Sequence, residues 1–198
     1  AQHCADGCKQ SDAVVLRLEL DRHHERRLSL KLLTTALGQG DFEPGRGHAE
    51  GLVRDYDVQA TAKVMTPEVV RTGEQQPNDE CPLEAELATK FRRGAARANY
   101  LAQDRPDIQF AVKELARSMA TPDELAWQAL KRLGRYLVYR PRLVLTYVPQ
   151  YGATFMDARV DTDHAGCLRT RRSTNGGALM HGHHTIKTRA TTQATIAF

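Results

Sequence analysis

The chain has 198 residues, of which 41% are hydrophobic and 26% are charged, and its formal net charge is +4. This composition is typical of a soluble globular protein and excludes a disordered or collagen-like chain. No apolar run approaches the ~20 residues of a bilayer-spanning helix, and the N-terminus lacks the basic-then-apolar order of a signal peptide, so we expect an intracellular protein with no membrane partner.

The first 80 residues carry weak structural signals. The apolar segment 28–37, followed by Gly38 and Gly40, predicts a hairpin that returns through residues 41–43. A short helix is predicted over 48–56. The polar segment 71–80 contains Gly and Pro and has no periodicity, which predicts a linker and a domain boundary near residue 80.

Three amphipathic helices are predicted between residues 82 and 140. The second begins at Pro106. The third follows a capping box, in which the Thr121 hydroxyl accepts the Glu124 backbone N–H and the Glu124 side chain accepts the Thr121 backbone N–H. Pro122 takes the first helical position. Tight connections favour packing as a small bundle. The side chains expected in its core are Leu87, Phe91, Ile108, Val112, Leu115, Leu130, Leu133 and Leu137.

After Pro141 the hydrophobic period changes from helical to extended. Segments 143–148, 155–161, 177–180 and 185–187 predict short strands of an antiparallel sheet. The chain is therefore predicted to be an α+β protein.

Basic side chains on two of the predicted helices are candidates for phosphate contacts. Residues 100–198 carry 14 basic against 8 acidic side chains, and such a surplus favours polyanionic partners through counterion release. An ordinary solvated face is the alternative. The candidates are Arg92, Arg93, Arg97, Lys131, Arg132 and Arg135.

Two groups of side chains have the chemistry of metal ligands. Asp161 and Asp163 at a strand end could hold Mg²⁺ for phosphodiester chemistry, and a strand-end turn is the alternative. A second group could bind a transition metal, with a solvated hairpin tip around Gly182 as the alternative. Its members are His164, Cys167, His181, His183 and His184.

Four motifs in order point to one family. Segment 95–121 contains Y-L-A-Q-D-R-P-D-I-Q-F-A-V, segment 127–142 reads WQALKRLGRYLVYRPR, segment 161–177 reads DTDHAGCLRTRRSTNGG, and segment 193–197 reads QATIA. They resemble the end of the reverse transcriptase and the start of the ribonuclease H domain in the Pol polyprotein of copia-type long-terminal-repeat retrotransposons. The resemblance covers about two thirds of the chain.

The resemblance implies a domain order. Residues 1–80 correspond to the end of a palm-like region and a linker, 81–142 to a three-helix thumb-like bundle, and 143–198 to a truncated ribonuclease H-like antiparallel sheet. It makes Asp161 the first nuclease carboxylate and a Mg²⁺ ligand, in an incomplete set. The implied partners are an RNA/DNA hybrid or duplex and the remainder of the Pol polyprotein.

The chain also departs from the family. It has no match to the Tyr-Val-Asp-Asp strand of the polymerase, and no Asp or Glu follows Asp163. We therefore expect a polyprotein fragment that keeps nucleic-acid contacts without a complete active site. Mg²⁺ would serve the parent enzyme and would not bind tightly here. The alternative is a non-catalytic helical interaction module or an inert pseudogene product.

Overall fold

The computed structural model describes residues 40–44, 47–56, 64–68, 81–148, 150, 155–167 and 170–196. Helices and strands alternate in blocks within these ranges, which confirms the predicted α+β class. The helices are α1 (Gly47–Asp55), α2 (Ala85–Ala102), α3 (Gln109–Arg117) and α4 (Glu124–Tyr139). The strands are β1 (Gly40–Phe42), β2 (Leu145–Tyr147), β3 (Met156–Thr162), β4 (Arg172–His181) and β5 (His184–Ile196).

The helices α1 to α4 enclose one hydrophobic core. Helix α1 confirms the short helix predicted over 48–56. It packs against α2 and α4. Its Leu52, together with Tyr56 and Val64, joins the same buried cluster as Phe91 and Leu133. Segments on both sides of the polar stretch 71–80 therefore share a core.

Seven of the eight predicted core side chains are buried, and Leu87 is the exception. Leu87 is 36% exposed, so its assignment to the core was wrong. It lies in the first turn of α2, where Ala88 occupies the buried position and Leu83, just before the helix, packs against the core. The apolar stripe of α2 thus begins one residue later than its spacing suggests.

The capping box predicted at Thr121 was also wrong. The N-cap of α4 is Asp123, whose carboxylate accepts a hydrogen bond from the Ala126 backbone N–H at 2.6 Å. Backbone pairing with residues 81–83 sets this boundary, because the Glu124 N–H donates to Cys81 O and the Leu83 N–H donates to Pro122 O. Helix α4, the third of the three helices predicted between residues 82 and 140, therefore begins two residues later than predicted.

The strands form two separate antiparallel sheets. The short β1 pairs with β2, with Asp41 opposite Thr146. The segment 28–37, expected to pair with residues 41–43, lies outside the described residues. Strands β3, β4 and β5 form a meander in that order, and the β4–β5 turn contains Gly182 with φ of 57°, as the hairpin alternative predicts.

Helix α3 joins the bundle to the three-stranded sheet. Lys113 Nζ lies 2.8 Å from Thr174 Oγ1 on β4, and Gln109 Nε2 donates to Thr188 O on β5 at 3.2 Å. Strand β3 lies at the opposite edge of the sheet. Along the parts of the chain that the structure describes, none of the helices is long and apolar enough to cross a membrane.

Candidate nucleic-acid interface

A pair of aromatic rings lies between the two helices, α2 and α4, that carry all six candidate basic residues. Tyr56, at the end of α1, packs against Trp127 of α4 with ring centroids 5.7 Å apart and an interplanar angle of 58°. The Tyr56 hydroxyl donates to the Lys90 carbonyl of α2 at 2.6 Å. This pair therefore fixes α2 and α4 relative to each other.

One lysine from each helix lies over this aromatic pair. Lys90 Nζ is 5.7 Å from the centroid of the Tyr56 ring, and Lys131 Nζ is 5.4 Å from that of Trp127. Such cation–π contacts at accessible sites contribute about 0.5–1 kcal/mol and leave the ammonium group free to bind an anion. The contacts thus place one positive charge from each helix against the same aromatic pair.

Arg93 adds charge beside Tyr56, and Arg132 and Arg135 add charge on α4. Arg93 is exposed. Burial raises the pKa of the Tyr56 hydroxyl, and the charges of Arg97 and Arg93 oppose that rise. Arg132 Nη2 donates to Thr66 Oγ1 at 2.9 Å. The Nε atoms of Arg132 and Arg135 are buried without a hydrogen-bond partner among the described residues.

We call Lys90, Arg93, Lys131, Arg132 and Arg135 the α2–α4 face. Among the described residues, none of its five cations forms an ion pair with a carboxylate. Its five positive charges are therefore not paired with carboxylates in the part of the chain that the structure describes.

Arg92 and Arg97 differ from the other candidates because they have internal partners. Arg92 donates to the carbonyls of Met119 and Ala120, at 2.8 and 3.2 Å, and so fixes the connection between α3 and α4. Arg97 Nη1 lies 2.5 Å from Asp55 Oδ2. Hydrogen bonds from Arg97 and then Arg54 hold the pKa of Asp55 below its usual value. The structure thus separates these two arginines from the face.

Asp161 lies one residue before the end of β3. Its side chain is exposed, and its Oδ1 accepts the Thr162 backbone N–H at 2.9 Å. Asp163 instead accepts the Thr174 backbone N–H, and a Cβ on Gly166 would lie within 3 Å of its carboxylate. Each carboxylate therefore accepts a backbone N–H of the sheet region. This donor set does not fit a two-metal site, which requires several carboxylates.

The predicted histidine group is not assembled as a metal site. His184 Nε2 lies 2.7 Å from Val148 O, and its ring packs against Tyr147. The Gln150 side chain binds the backbone at the hairpin tip: its Nε2 donates to His181 O, and its Oε1 accepts the His183 N–H. Across the described ranges, no three His, Cys, Asp or Glu side chains gather as metal ligands.

Cys167 lies in an unusually polar environment for a thiol. Its Sγ is 2.7 Å from Arg117 Nη2 and 3.0 Å from Thr170 Oγ1. Burial alone would raise the pKa of Cys167, but the hydrogen bonds from Thr170 and Arg117 outweigh it and lower the pKa to about 7. Spacing alone could not reveal this contact, because Arg117 is on α3 and Cys167 follows β3.

Arg105, Pro106 and Asp107, which form the Arg-Pro-Asp segment of the first family motif, stabilise the packing of the helices in this chain. Arg105 is buried, pairs with Asp107, and donates to the carbonyls of Arg140 and Pro141 after α4. The Tyr136 hydroxyl donates to the same Asp107. These residues tie the start of α3 to the end of α4, so their role is to position helices rather than to contact a ligand.

Comparison with known proteins finds relatives of the predicted kind. The chain is homologous to retrovirus-related Pol polyproteins from transposons, which confirms the predicted resemblance to copia-type retrotransposon Pol. It is 27% identical over 181 residues to the polyprotein from transposon RE2 of Arabidopsis thaliana, covering 88% of this chain and 12% of the polyprotein. It is 38% identical over 98 residues to that from transposon RE1 of the same plant, covering 50% and 7%.

A third relative is an uncharacterized mitochondrial protein of Arabidopsis thaliana, 34% identical over 107 residues that cover 54% of this chain and 44% of that protein. The chain thus spans about a tenth of the length of the transposon polyproteins it matches. No family model and no solved structure matches the chain.

Proposed function

We propose that the α2–α4 face binds the sugar-phosphate backbone of an RNA/DNA hybrid or duplex, as the thumb-like region of a retrotransposon reverse transcriptase polyprotein. The observation that carries this proposal is the contact between Tyr56 and Trp127, because Lys90 of α2 lies over one ring of this pair and Lys131 of α4 lies over the other. Homology to Pol polyproteins supports the choice of nucleic acid as the polyanion. The remainder of the polyprotein is the second proposed partner.

The chemistry of the face favours binding without sequence preference. Lysine and arginine contacts to phosphates position a duplex but read no bases. Each phosphate that is neutralised releases counterions, so the slope of log K against log salt steepens by about 0.9 per contact on B-form DNA. We assign Arg92 and Arg97 to the fold of the bundle instead, because each already has partners inside the protein.

The test compares two triple charge reversals that change the net charge equally. In the first variant Lys131, Arg132 and Arg135 become Glu. In the control variant Arg171, Arg172 and Arg189, all exposed on or beside the sheet, become Glu. Fluorescence anisotropy with a labelled RNA/DNA hybrid should show a large loss of affinity for the first variant only. Equal losses in both variants, or no loss in the first, would remove the assignment.

We also propose that residues 143–198 correspond to the start of a ribonuclease H-like domain, with Asp161 as its first carboxylate. The D-T-D-H-A-G motif and the antiparallel order β3-β4-β5 support this correspondence. Mg²⁺ is the cofactor we expect for the parent enzyme. The carboxylates described here do not form its site, so we propose no hydrolytic step for this chain.

A further inference from the structure

An exposed hydroxyl group contacts the α2–α4 face. Thr66 is exposed, and its Oγ1 accepts a hydrogen bond from Arg132 Nη2 at 2.9 Å. The same hydroxyl donates to Glu68 O at 3.2 Å, in a short segment that is neither helix nor strand. A group covalently added to the Thr66 oxygen would therefore lie against the guanidinium group of Arg132.

A second arginine of the face follows on the same helix. Arg135 lies three residues after Arg132 on α4, and side chains with this spacing are neighbours on a helix surface. Among the described residues, neither arginine forms an ion pair with a carboxylate. Guanidinium groups bind phosphate through charge-assisted, often paired, N–H···O bonds. This end of the face is thus suited to a phosphate held on Thr66.

The sequence around Thr66 suits one class of modifying enzyme. Proline-directed protein kinases phosphorylate a Ser or Thr hydroxyl that precedes proline, and Pro67 follows Thr66. The chain has one other Thr-Pro pair, at Thr121, but there Pro122 is buried and its carbonyl accepts the Leu83 N–H. Such a kinase must reach both residues of the pair. Thr66 is therefore the more accessible acceptor, since Pro67 is only partly buried.

We propose that Thr66 is a phosphorylation site, and that its phosphate prevents the α2–α4 face from binding nucleic acid. This inference rests on the proposed function of that face. The phosphoryl donor is ATP, bound by the kinase. The Thr66 oxygen bonds to the γ-phosphorus, the bond from that phosphorus to the bridging oxygen of ADP breaks, and the hydroxyl proton passes to the catalytic base of the kinase.

The added charge accounts for the block. Phosphothreonine carries a charge of about −1.5 to −2 at pH 7 and three strong acceptor oxygens. Beside Arg132 and Arg135 it forms charge-assisted hydrogen bonds and so occupies two cations of the face. It also repels the sugar-phosphate backbone. Phosphorylation therefore removes phosphate contacts and adds a like charge at the same place.

Treatment of the full chain with ATP and a proline-directed kinase, followed by mass spectrometry of its peptides, tests the site. Thr66 should be phosphorylated, and Thr121 should stay unmodified. Modification of Thr121 in preference to Thr66, or of neither, would overturn the proposal.

Fluorescence anisotropy with a labelled RNA/DNA hybrid tests the consequence. The phosphorylated chain should bind about tenfold or more weakly at ~0.1 M salt, and phosphatase treatment should restore the affinity. A Thr66→Val chain treated with the same kinase is the matched control and should keep its own affinity. Equal affinities before and after phosphatase treatment of the parent chain would contradict the block.

Phosphorus NMR of the phosphorylated chain tests the contact with Arg132 without nucleic acid. The second ionisation of phosphothreonine has a pKa of about 6, and a neighbouring guanidinium group should lower it. Arg132→Gln should raise that midpoint, whereas Arg172→Gln, at an exposed site on β4, should not. A midpoint unaffected by Arg132→Gln would overturn the contact. Because no hybrid is present, this titration separates a failure of the inference from a failure of the proposed function.

Discussion

Arg105 and Asp107, two residues apart in the chain, form a bidentate ion pair around Pro106. Arg105 Nε lies 2.9 Å from Asp107 Oδ1, and Nη2 lies 2.8 Å from Oδ2. Arg105 is only 2% exposed, and its remaining contacts reach the carbonyls that follow α4. The ion pair therefore connects the start of α3 to the end of α4, and it places the Arg105 charge in the protein interior.

Replacing Arg105 with Met should destabilise the fold by about 3–5 kcal/mol, because Asp107 then keeps a charge without its partner. Urea unfolding followed by circular dichroism measures the change in the free energy of unfolding. The double variant Arg105→Met/Asp107→Leu should cost less than the sum of its two single variants. Additive losses would show that the two side chains do not interact energetically.

Leu115→Ala should lower the free energy of unfolding by roughly 2–5 kcal/mol, since it leaves a cavity in the shared core. Leu115 is 3% exposed, whereas Leu87 is 36% exposed. Leu87→Ala is therefore the matched control and should cost much less in the same urea experiment. Equal costs for the two variants would contradict the core assignment.

The Cys167 thiol should react with maleimide as a group with a pKa of about 7. A chain whose other three cysteines are Ser isolates this signal, and the midpoint of the rate against pH gives the pKa. Arg117→Met should raise that midpoint, because it removes a donor that stabilises the thiolate. A midpoint near the ordinary value of 9.0 in the parent chain would contradict the described contacts.

The same pKa shift predicts a pH dependence of stability. Because the pKa of Cys167 is lower in the folded chain than its ordinary value of 9.0, folding favours the thiolate. The resulting stabilisation is complete above pH 9 and is lost as the pH falls through about 7. Cys167→Ser should remove this part of the pH dependence of the urea midpoint.

This chain should not cleave an RNA/DNA hybrid in Mg²⁺ or Mn²⁺. Two-metal hydrolysis requires a cluster of carboxylates, and no three metal-ligating side chains gather at Asp161 among the described residues. The assay compares the chain, its Asp161→Asn variant, and a version extended with the downstream segment of a Pol polyprotein. Cleavage by the unextended chain that depends on Asp161 would refute the prediction.

The sequence predicts the helices better than their ends. Hydrophobic spacing locates the core from Phe91 to Leu137, because buried positions repeat every three or four residues. It fails at Leu87 and Thr121, where backbone pairing between residues 81–83 and 122–124 determines where α2 and α4 begin. Those hydrogen bonds are tertiary contacts, and no local pattern encodes them.

The candidate site is predictable only in part for a similar reason. Charge identifies Lys131 and its neighbours as candidates, but the pairing of Tyr56 with Trp127 depends on how α1 packs against α4. The sequence also does not predict that Arg92 donates hydrogen bonds to the Met119 and Ala120 carbonyls, because these carbonyls belong to a turn that is distant along the chain. Tertiary packing therefore decides which cations remain available.

The salt dependence of hybrid binding by Lys90→Glu, Lys131→Glu and their double variant tests the central claim most directly. If one surface built from both helices contacts the phosphates, each single variant should reduce the magnitude of the log K against log salt slope by about 1, and the double variant by about 2. The reduction should be alike for hybrids of unrelated sequence. A slope that changes for only one of the two lysines, or for neither, would contradict a shared α2–α4 face.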